Sequence, residues 1–279
     1  MDLIRKLENG RSQIITDVAF CELLKKRLPN KDKSFEDLIA EFDKKLLTAD
    51  KNITSQALSN THGAWYEWLL AISAWNFYAN NKNADLAIQT PNISRFDVAS
   101  LYNKRLFSLI EDLRKKVLDK SDVQLISSNP DFVIISRDVI AKSGLKVEEI
   151  KKIDVSSIHK IANFYSHIKN KCDFDDIKGY ISVKKSVRPD RRLQIPHEGS
   201  LMKAIYTHLQ TREWVIKPKG IKYYAIIGRL GEADIKALKT VATHSITTVH
   251  SIPQAAVDDA FEVNSLQQAD YVFSKILTF

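Results

Sequence analysis

Three side chains in the middle and second half of the sequence have the types and spacing to do chemistry together: Asp131, Lys184 and Glu198. Asp131 closes Asn129-Pro130-Asp131, at the boundary between two β-rich runs, and the proline breaks strand pairing so that the carboxylate projects from a strand edge. Ser182-Val183-Lys184 lies in a predicted strand, where two-residue alternation puts Ser182 and Lys184 on one face. Glu198 comes fourteen positions after Lys184, in the first turn of the next predicted helix. Two carboxylates and a lysine at the edge of a sheet suit phosphoryl chemistry. Mg²⁺ takes oxygen ligands yet keeps several waters, one of which can attack a phosphate in line, while the lysine contacts the phosphate. Any one of the three alone reads as an ordinary surface charge. The stretch between Lys184 and Glu198 makes the triplet more specific, because it holds Arg188-Pro189-Asp190-Arg191-Arg192.

Other chemistries find less support. The seven histidines and two cysteines, Cys21 and Cys172, form no zinc-ligand spacing, and His159, His167 and His208 read as polar helix positions. Gly228-Arg229-Leu230-Gly231 follows a strand, but lacks the remaining glycines or the Lys-Ser/Thr of a phosphate-binding loop and reads as a turn. No G-x-S-x-G elbow supports a Ser–His–Asp nucleophile. Glu67 is the only formally charged side chain between Lys51 and Lys82, in a helix carrying Trp65, Trp68, Leu69, Ile72 and Trp75 at core spacing. A carboxylate buried there needs a partner or a metal, because burying it bare is costly; an exposed helix position is the plainer alternative.

The elements that must position these residues follow from hydrophobic period. Apolar stripes predict helices over 14–28, 35–47, 64–79, 104–119 and 156–169, and the polar stretch 52–63 reads as a loop. Short β-rich runs predict strands over 86–90, 123–126, 132–135, 180–187, 222–227 and 245–250, with helices over 196–210, 233–243 and 253–261. The first ~60 residues are thus mostly helical, and the remainder alternates strands with helices. The expected fold is α/β: a central mixed β-sheet flanked by helices, in a single domain over residues 1–279.

Composition bounds the class. The chain has 279 residues, 44% hydrophobic and 27% charged, which describes a globular protein with a real core. Met1-Asp2-Leu3-Ile4-Arg5-Lys6 runs straight into charges without the apolar core of a signal peptide, so a cytosolic location is expected. No stretch approaches the ~18 apolar residues of a membrane span. The net charge is +8, and residues 178–222 alone hold eleven basic residues against three acids, which is the whole excess. Such a basic segment is the footprint of a polyanion-binding face.

Ser128-Asn129-Pro130-Asp131, Ser182-Val183-Lys184 and Arg188-Pro189-Asp190-Arg191-Arg192-Leu193-Gln194 followed by His197-Glu198-Gly199 resemble the restriction endonucleases of the PD-(D/E)XK superfamily. Within it they resemble the tetrameric type IIF subgroup that cuts purine-CCGG-pyrimidine sites. The likeness extends to Trp65-Tyr66-Glu67-Trp68, Pro91-Asn92 with Phe96-Asp97, Tyr206-Thr207-His208-Leu209 and Ala242-Thr243-His244-Ser245-Ile246. It covers nearly the whole chain beyond about residue 60; the first 50 residues match much less clearly. Ser182 stands where the superfamily pattern has an acid, and in this subgroup the following helix supplies the missing carboxylate, at the position of Glu198. The resemblance therefore implies Asp131 and Glu198 as ligands of Mg²⁺, Lys184 as the group that positions the attacking water and stabilises phosphoryl charge, and Glu67 as a further acid of the site. It also implies a prokaryotic, cytoplasmic enzyme that cuts both strands of duplex DNA before the CCGG core, leaving four-base 5′ overhangs.

The arginine-rich insert has a physical reading of its own. Arginine forks onto guanine in the major groove, and an acid accepts from the cytosine amino group. Arg188, Asp190 and Arg191 offer two forks and one acceptor, enough for half of a CCGG palindrome, with a second subunit reading the other half. Arg192 is a candidate phosphate contact. The subgroup resemblance implies homodimers joined back to back into a homotetramer. Arg212-Glu213-Trp214 is the candidate contact, because Trp and Arg are favoured interface anchors; the alternative for Trp214 is a cap on the core. The rival functions are a DNA-binding module without catalysis and a structure-selective repair nuclease. Binding alone gains nothing from acids placed beside phosphate.

Overall fold

The computed structural model describes residues 2–8, 10–93, 95–126, 129–247 and 252–278, and the side chains of Asp190 and Arg191 lie outside the described set. A short antiparallel hairpin, β1 (Ile4–Lys6) and β2 (Ser12–Ile14), leads into three helices, α1 (Thr16–Leu23), α2 (Phe35–Ala49) and α3 (Ser55–Asn80). Then come β3 (Leu86–Gln89), α4 (Lys104–Ser121), β4 (Phe132–Ile135), α5 (Arg137–Lys142), α6 (Val155–Asn163), β5 (Ile177–Lys184) and α7 (Pro189–Arg212). The chain closes with β6 (Lys222–Ile227), α8 (Glu232–Leu238), β7 (Asp259–Glu262) and α9 (Leu266–Ile276).

Five strands form the central sheet in the order β3-β4-β5-β6-β7. The pairings β3–β4 and β4–β5 are antiparallel, whereas β5–β6 and β6–β7 are parallel, so the sheet is mixed, as expected. Every residue of β3 and β4 is buried. That explains why Phe132-Val133-Ile134-Ile135 is an unbroken apolar run rather than an alternating one: helices cover both faces. α3 packs against β3 and α9, and α7 packs against β6, α8 and α4. The N-terminal helices join the same hydrophobic core, with Phe42 of α2 edge-on to Trp65 of α3 at 5.3 Å and Phe20 of α1 edge-on to Trp68 at 5.3 Å.

The structure departs from the periodicity reading at several places. Residues 52–63 are not a loop: α3 starts at Ser55, where the Thr54 side chain accepts the Ala57 amide at 3.2 Å. An N-cap followed by a long apolar stripe outweighs the poor helix propensity of Ser, Thr and Asn. The helix over 14–28 shrinks to α1, stopped by left-handed backbone at Lys25 (φ 54°) and Lys26 (φ 59°). The β-rich run 123–126 forms no strand, and Val123 and Ile126 are exposed. The helix over 253–261 does not form: residues 253–258 are irregular, the charged edge strand β7 begins at Asp259, and α9 follows where periodicity announces no element. Residues 243–246 form a 3-10 turn in place of the start of the strand expected over 245–250; residues 248–250 lie outside the described set, as does Ser128. The sharpest departure is α7, which begins at Pro189 and carries Pro196 inside it rather than at its start. Pro189 suits the first helical position, where no amide donor is needed. Pro196 removes one interior hydrogen bond, a cost offset by the burial of Ile195 and Leu209 on the same helix.

Candidate active site

Asp131 is held in place by the loop before β4 as much as by the strand itself. The Thr90 amide donates to the Asp131 carbonyl at 3.0 Å, and the Thr90 hydroxyl donates to the Pro130 carbonyl. Asn129 ties the same segment to the neighbouring turn, donating to Phe96 O at 2.6 Å and accepting from Val98 N at 2.9 Å. On β5, the Val183 amide donates to Asp131 Oδ2 at 2.6 Å and the Lys184 ammonium at 2.7 Å, with the Ser182 hydroxyl at 3.4 Å. The antiparallel register, Phe132 opposite Ile181, produces this meeting. Asp131 and Lys184 side chains remain about one-fifth exposed (21% and 22%), so both stay accessible. Ser182 is buried.

Glu198 arrives from the other side, on α7, and lies well inside the helix rather than in its first turn. It is 7% exposed. Its Oε1 accepts from Gln194 Nε2, one turn earlier, at 2.7 Å, and its Oε2 accepts from the hydroxyl of buried Tyr223 on β6 at 2.8 Å. Burial, followed by the Glu198 charge, pushes the Tyr223 phenol well above its ordinary pKa and keeps it a hydrogen-bond donor. A carboxylate offers about four lone-pair sites, so two such bonds leave Glu198 capacity toward the cleft.

Glu67 forms a third wall. Its Oε2 accepts from Gln89 Nε2 at 3.0 Å. Burial raises its pKa to about 7, the Asp131 charge adds to that, and Lys184 and the Gln89 bond oppose it. Gln89 Oε1 is buried without a donor among the described residues. Asp131, Lys184, Glu198, Glu67 and Gln194 line one cleft of about 830 Å³. Among the described residues no sulfur or imidazole ligand lines it, so its donors are hard oxygens and suit Mg²⁺ rather than zinc. Among the described residues no three His, Cys, Asp or Glu side chains converge as a ready-made cage. Mg²⁺ does not require one, since it is held by one or two carboxylates with waters and phosphate oxygens completing its shell.

This geometry sits on a chain whose residues 1–278 match the sequence pattern of the Cfr10I/Bse634I restriction endonucleases. The chain belongs to that family. It is a type II restriction endonuclease. It is 41% identical over 285 residues to the type II restriction enzyme Cfr10I of Citrobacter freundii, with 100% of both chains covered. Its fold matches the crystal structure of the type IIF restriction endonuclease Bse634I with cognate DNA at a TM-score of 0.88 and 34% identity, covering 99% of this chain and 97% of that one. A second structure of Bse634I restriction endonuclease matches at a TM-score of 0.88 and 33% identity, with the same coverage of 99% and 97%.

In this family member the arginine-rich segment is not a loop insert. Arg188 is the N-cap of α7, exposed and extended (φ −88°, ψ 161°), and the segment continues as the first turns of the helix. Asp190 and Arg191 lie there with side chains outside the described set. Arg192 is held within the protein: its Nε and Nη2 both lie 2.7 Å from Asp234 Oδ1 of α8. At the far end of α7, Arg212 pairs with Asp112 at 2.7 Å and Glu213 with Arg105. Trp214 does not cap the core: it is 88% exposed with φ 53°, beside Ile216 at 91%. Sequence reasoning missed Tyr223, Gln194, Gln89 and Thr90. Gln194 carried a signal, four positions before Glu198 on one helix face. Gln89 carried another, as the polar end of an apolar strand.

Proposed function

We propose that this endonuclease hydrolyses both strands of duplex DNA at purine-CCGG-pyrimidine sites with Mg²⁺, cutting before the first cytosine of the core. The observation that carries the reading is the 2.7 Å approach of Lys184 Nζ to Asp131 Oδ2 within a cleft that Glu198 also lines. Asp131 and Glu198 would hold the cation, and Ser182 occupies the position from which the strand carboxylate has moved. Bound there, the cation supplies a Lewis acid at the phosphoryl oxygen and a water of lowered pKa. Lys184 would orient the attacking water and offset the charge growing on the phosphate. Glu67, held near neutrality in pKa, adds adjustable negative charge to the wall. Arg188, Asp190 and Arg191 at the start of α7 would read the guanines and cytosines, and Arg192, once freed from Asp234, would reach a phosphate.

Incubation of the protein with a sequenced plasmid and Mg²⁺, followed by end mapping, tests the reading. The expected products carry 5′-phosphates and four-base CCGG overhangs at every purine-CCGG-pyrimidine site. Ends scattered over unrelated sequences, or dependence on DNA structure rather than sequence, would reject it.

The same reading makes the protein a homodimer that pairs into a homotetramer, in a prokaryotic cytoplasm. Among the described residues no helix is long and apolar enough to cross a membrane. Trp214 and Ile216 support the assembly, since two large apolar side chains exposed together at the end of a charged helix are costly unless covered. Arg212 flanks them. Trp214→Ala is expected to give a folded dimer that cuts one-site and two-site plasmids alike, whereas the parent is a tetramer that prefers two sites. Light scattering decides it, with circular dichroism as the folding control; a Trp214→Ala protein that stays tetrameric rejects the contact.

A further inference from the structure

A carboxylate on a strand is placed by the hydrogen-bond ladder, but one on a helix is only as well placed as the helix is held against the sheet. Glu198 is of the second kind, so something must lock α7 to β6 at the level of the cleft. Three contacts do so. The Tyr223 hydroxyl donates to Glu198 Oε2 at 2.8 Å in a fully buried setting. Lys203, one turn beyond Gly199 and 3% exposed, donates to Asp258 Oδ2 at 2.6 Å and to Ala255 O at 2.6 Å, tying α7 to the segment before β7. Asp258 in turn brackets the Tyr223 backbone: its Oδ2 accepts the Tyr223 amide at 2.8 Å, and its own amide donates to Tyr223 O at 2.8 Å. The same aspartate thus fixes both the helix that carries Glu198 and the residue whose hydroxyl orients it.

We propose that Tyr223 is a positioning residue for DNA cleavage, its buried hydroxyl fixing the Glu198 carboxylate for cation binding and the Lys203–Asp258 pair fixing Tyr223 to α7. The inference rests on the reading of Glu198 as a ligand of the cation. Hydrogen bonds to the far side of a ligand set its orientation and basicity, and losing one lowers metal affinity about 10- to 100-fold. Tyr223 is fully buried and does not line the cleft among the described residues, so its effect should appear in the cation requirement and not in DNA binding.

The test compares Tyr223→Phe, Glu198→Gln and the double variant. Mg²⁺ is titrated calorimetrically into each protein bound to a duplex with a non-hydrolysable scissile linkage, and the Mg²⁺ dependence of cleavage is measured in parallel. Tyr223→Phe is expected to weaken Mg²⁺ binding about tenfold or more, with metal-free DNA binding unchanged and the cleavage rate recovering at high Mg²⁺. The double variant should bind Mg²⁺ within about twofold of Glu198→Gln alone, because two residues acting as one unit are not additive. Should Tyr223→Phe fail to fold, Asp258→Asn substitutes for it, and the same weakening with intact DNA binding is expected. Tyr223→Phe with parental Mg²⁺ affinity overturns the proposal, provided Glu198→Gln weakens it. If Glu198→Gln leaves Mg²⁺ affinity unchanged, the ligand reading itself fails and the proposal falls with it.

Discussion

Asp131→Asn is expected to lower DNA cleavage by about a thousandfold, the rate equivalent of the several kcal/mol that a correctly held cation contributes to a phosphoryl transition state. The asparagine is chosen for a structural reason. Asp131 Oδ2 accepts the Val183 amide at 2.6 Å, and deleting the side chain would leave that donor without its partner, at a cost of about 1–3 kcal/mol. An amide oxygen preserves this bond while the negative charge is lost. Lys184→Ala removes the ammonium 2.7 Å from the same oxygen and, on the role proposed for it, should be comparably inactive for a different reason: the attacking water and the phosphoryl charge would lose their cation. Both variants should still retard cognate duplex in gel shifts, because the arginines proposed to read the bases, at the start of α7, are untouched. Plasmid nicking on the same preparations gives the rate; either variant cleaving at near-parental speed removes its residue from the site.

The parts of the site that were legible in the sequence are those set by local geometry. Asp131 stands at a proline-marked strand start, and Lys184 follows from two-residue alternation, so both could be placed before any contact was known. Glu198 was legible by spacing and resemblance, but not its depth in α7, because Pro196 looks like a helix start and is instead an interior residue. Tyr223 and Gln89 were not legible as parts of the site, for their bonds to Glu198 and Glu67 join residues 25 and 22 positions apart on different elements. The same distinction applies to the fold. β4 and β6 are apolar enough to announce themselves, whereas β7, Asp-Ala-Phe-Glu, is a strand only because β6 offers it a parallel edge. Conversely, Val123 and Ile126 have β propensity but no partner strand among the described residues, and both side chains stay exposed.

Gly199→Ala is expected to be the most damaging single methyl in the chain, since it strikes the fold and the site at once. A Cβ at Gly199 would lie 2.2 Å from the Ala256 carbonyl oxygen and 3.0 Å from Cδ1 of the Tyr223 ring. Neither neighbour can yield cheaply. The Ala256 amide is bonded to Thr240 O at 2.8 Å, and Tyr223 is fixed through both backbone groups by Asp258. The helix must therefore move away from the sheet. Overpacking of this kind costs about 1–3 kcal/mol, and a 2.2 Å approach to a backbone oxygen belongs at the upper end, above the roughly 1 kcal/mol that alanine gains over glycine in helix propensity. Because Glu198 is the adjacent residue, the same displacement pulls its carboxylate off Tyr223 and away from Asp131. Gly63 supplies the control for stability alone, since it lines the cleft: it also lies within a helix, α3, but a methyl there would meet nothing within 4 Å, so the melting of Gly63→Ala should be unchanged or slightly higher. Thermal unfolding of both variants, with cleavage of Gly199→Ala measured against the parent, separates the possibilities. Gly199→Ala should melt several degrees lower and cleave poorly even at high Mg²⁺; a variant with parental melting and cleavage would show that α7 is not pressed against β6 as closely as its glycine implies.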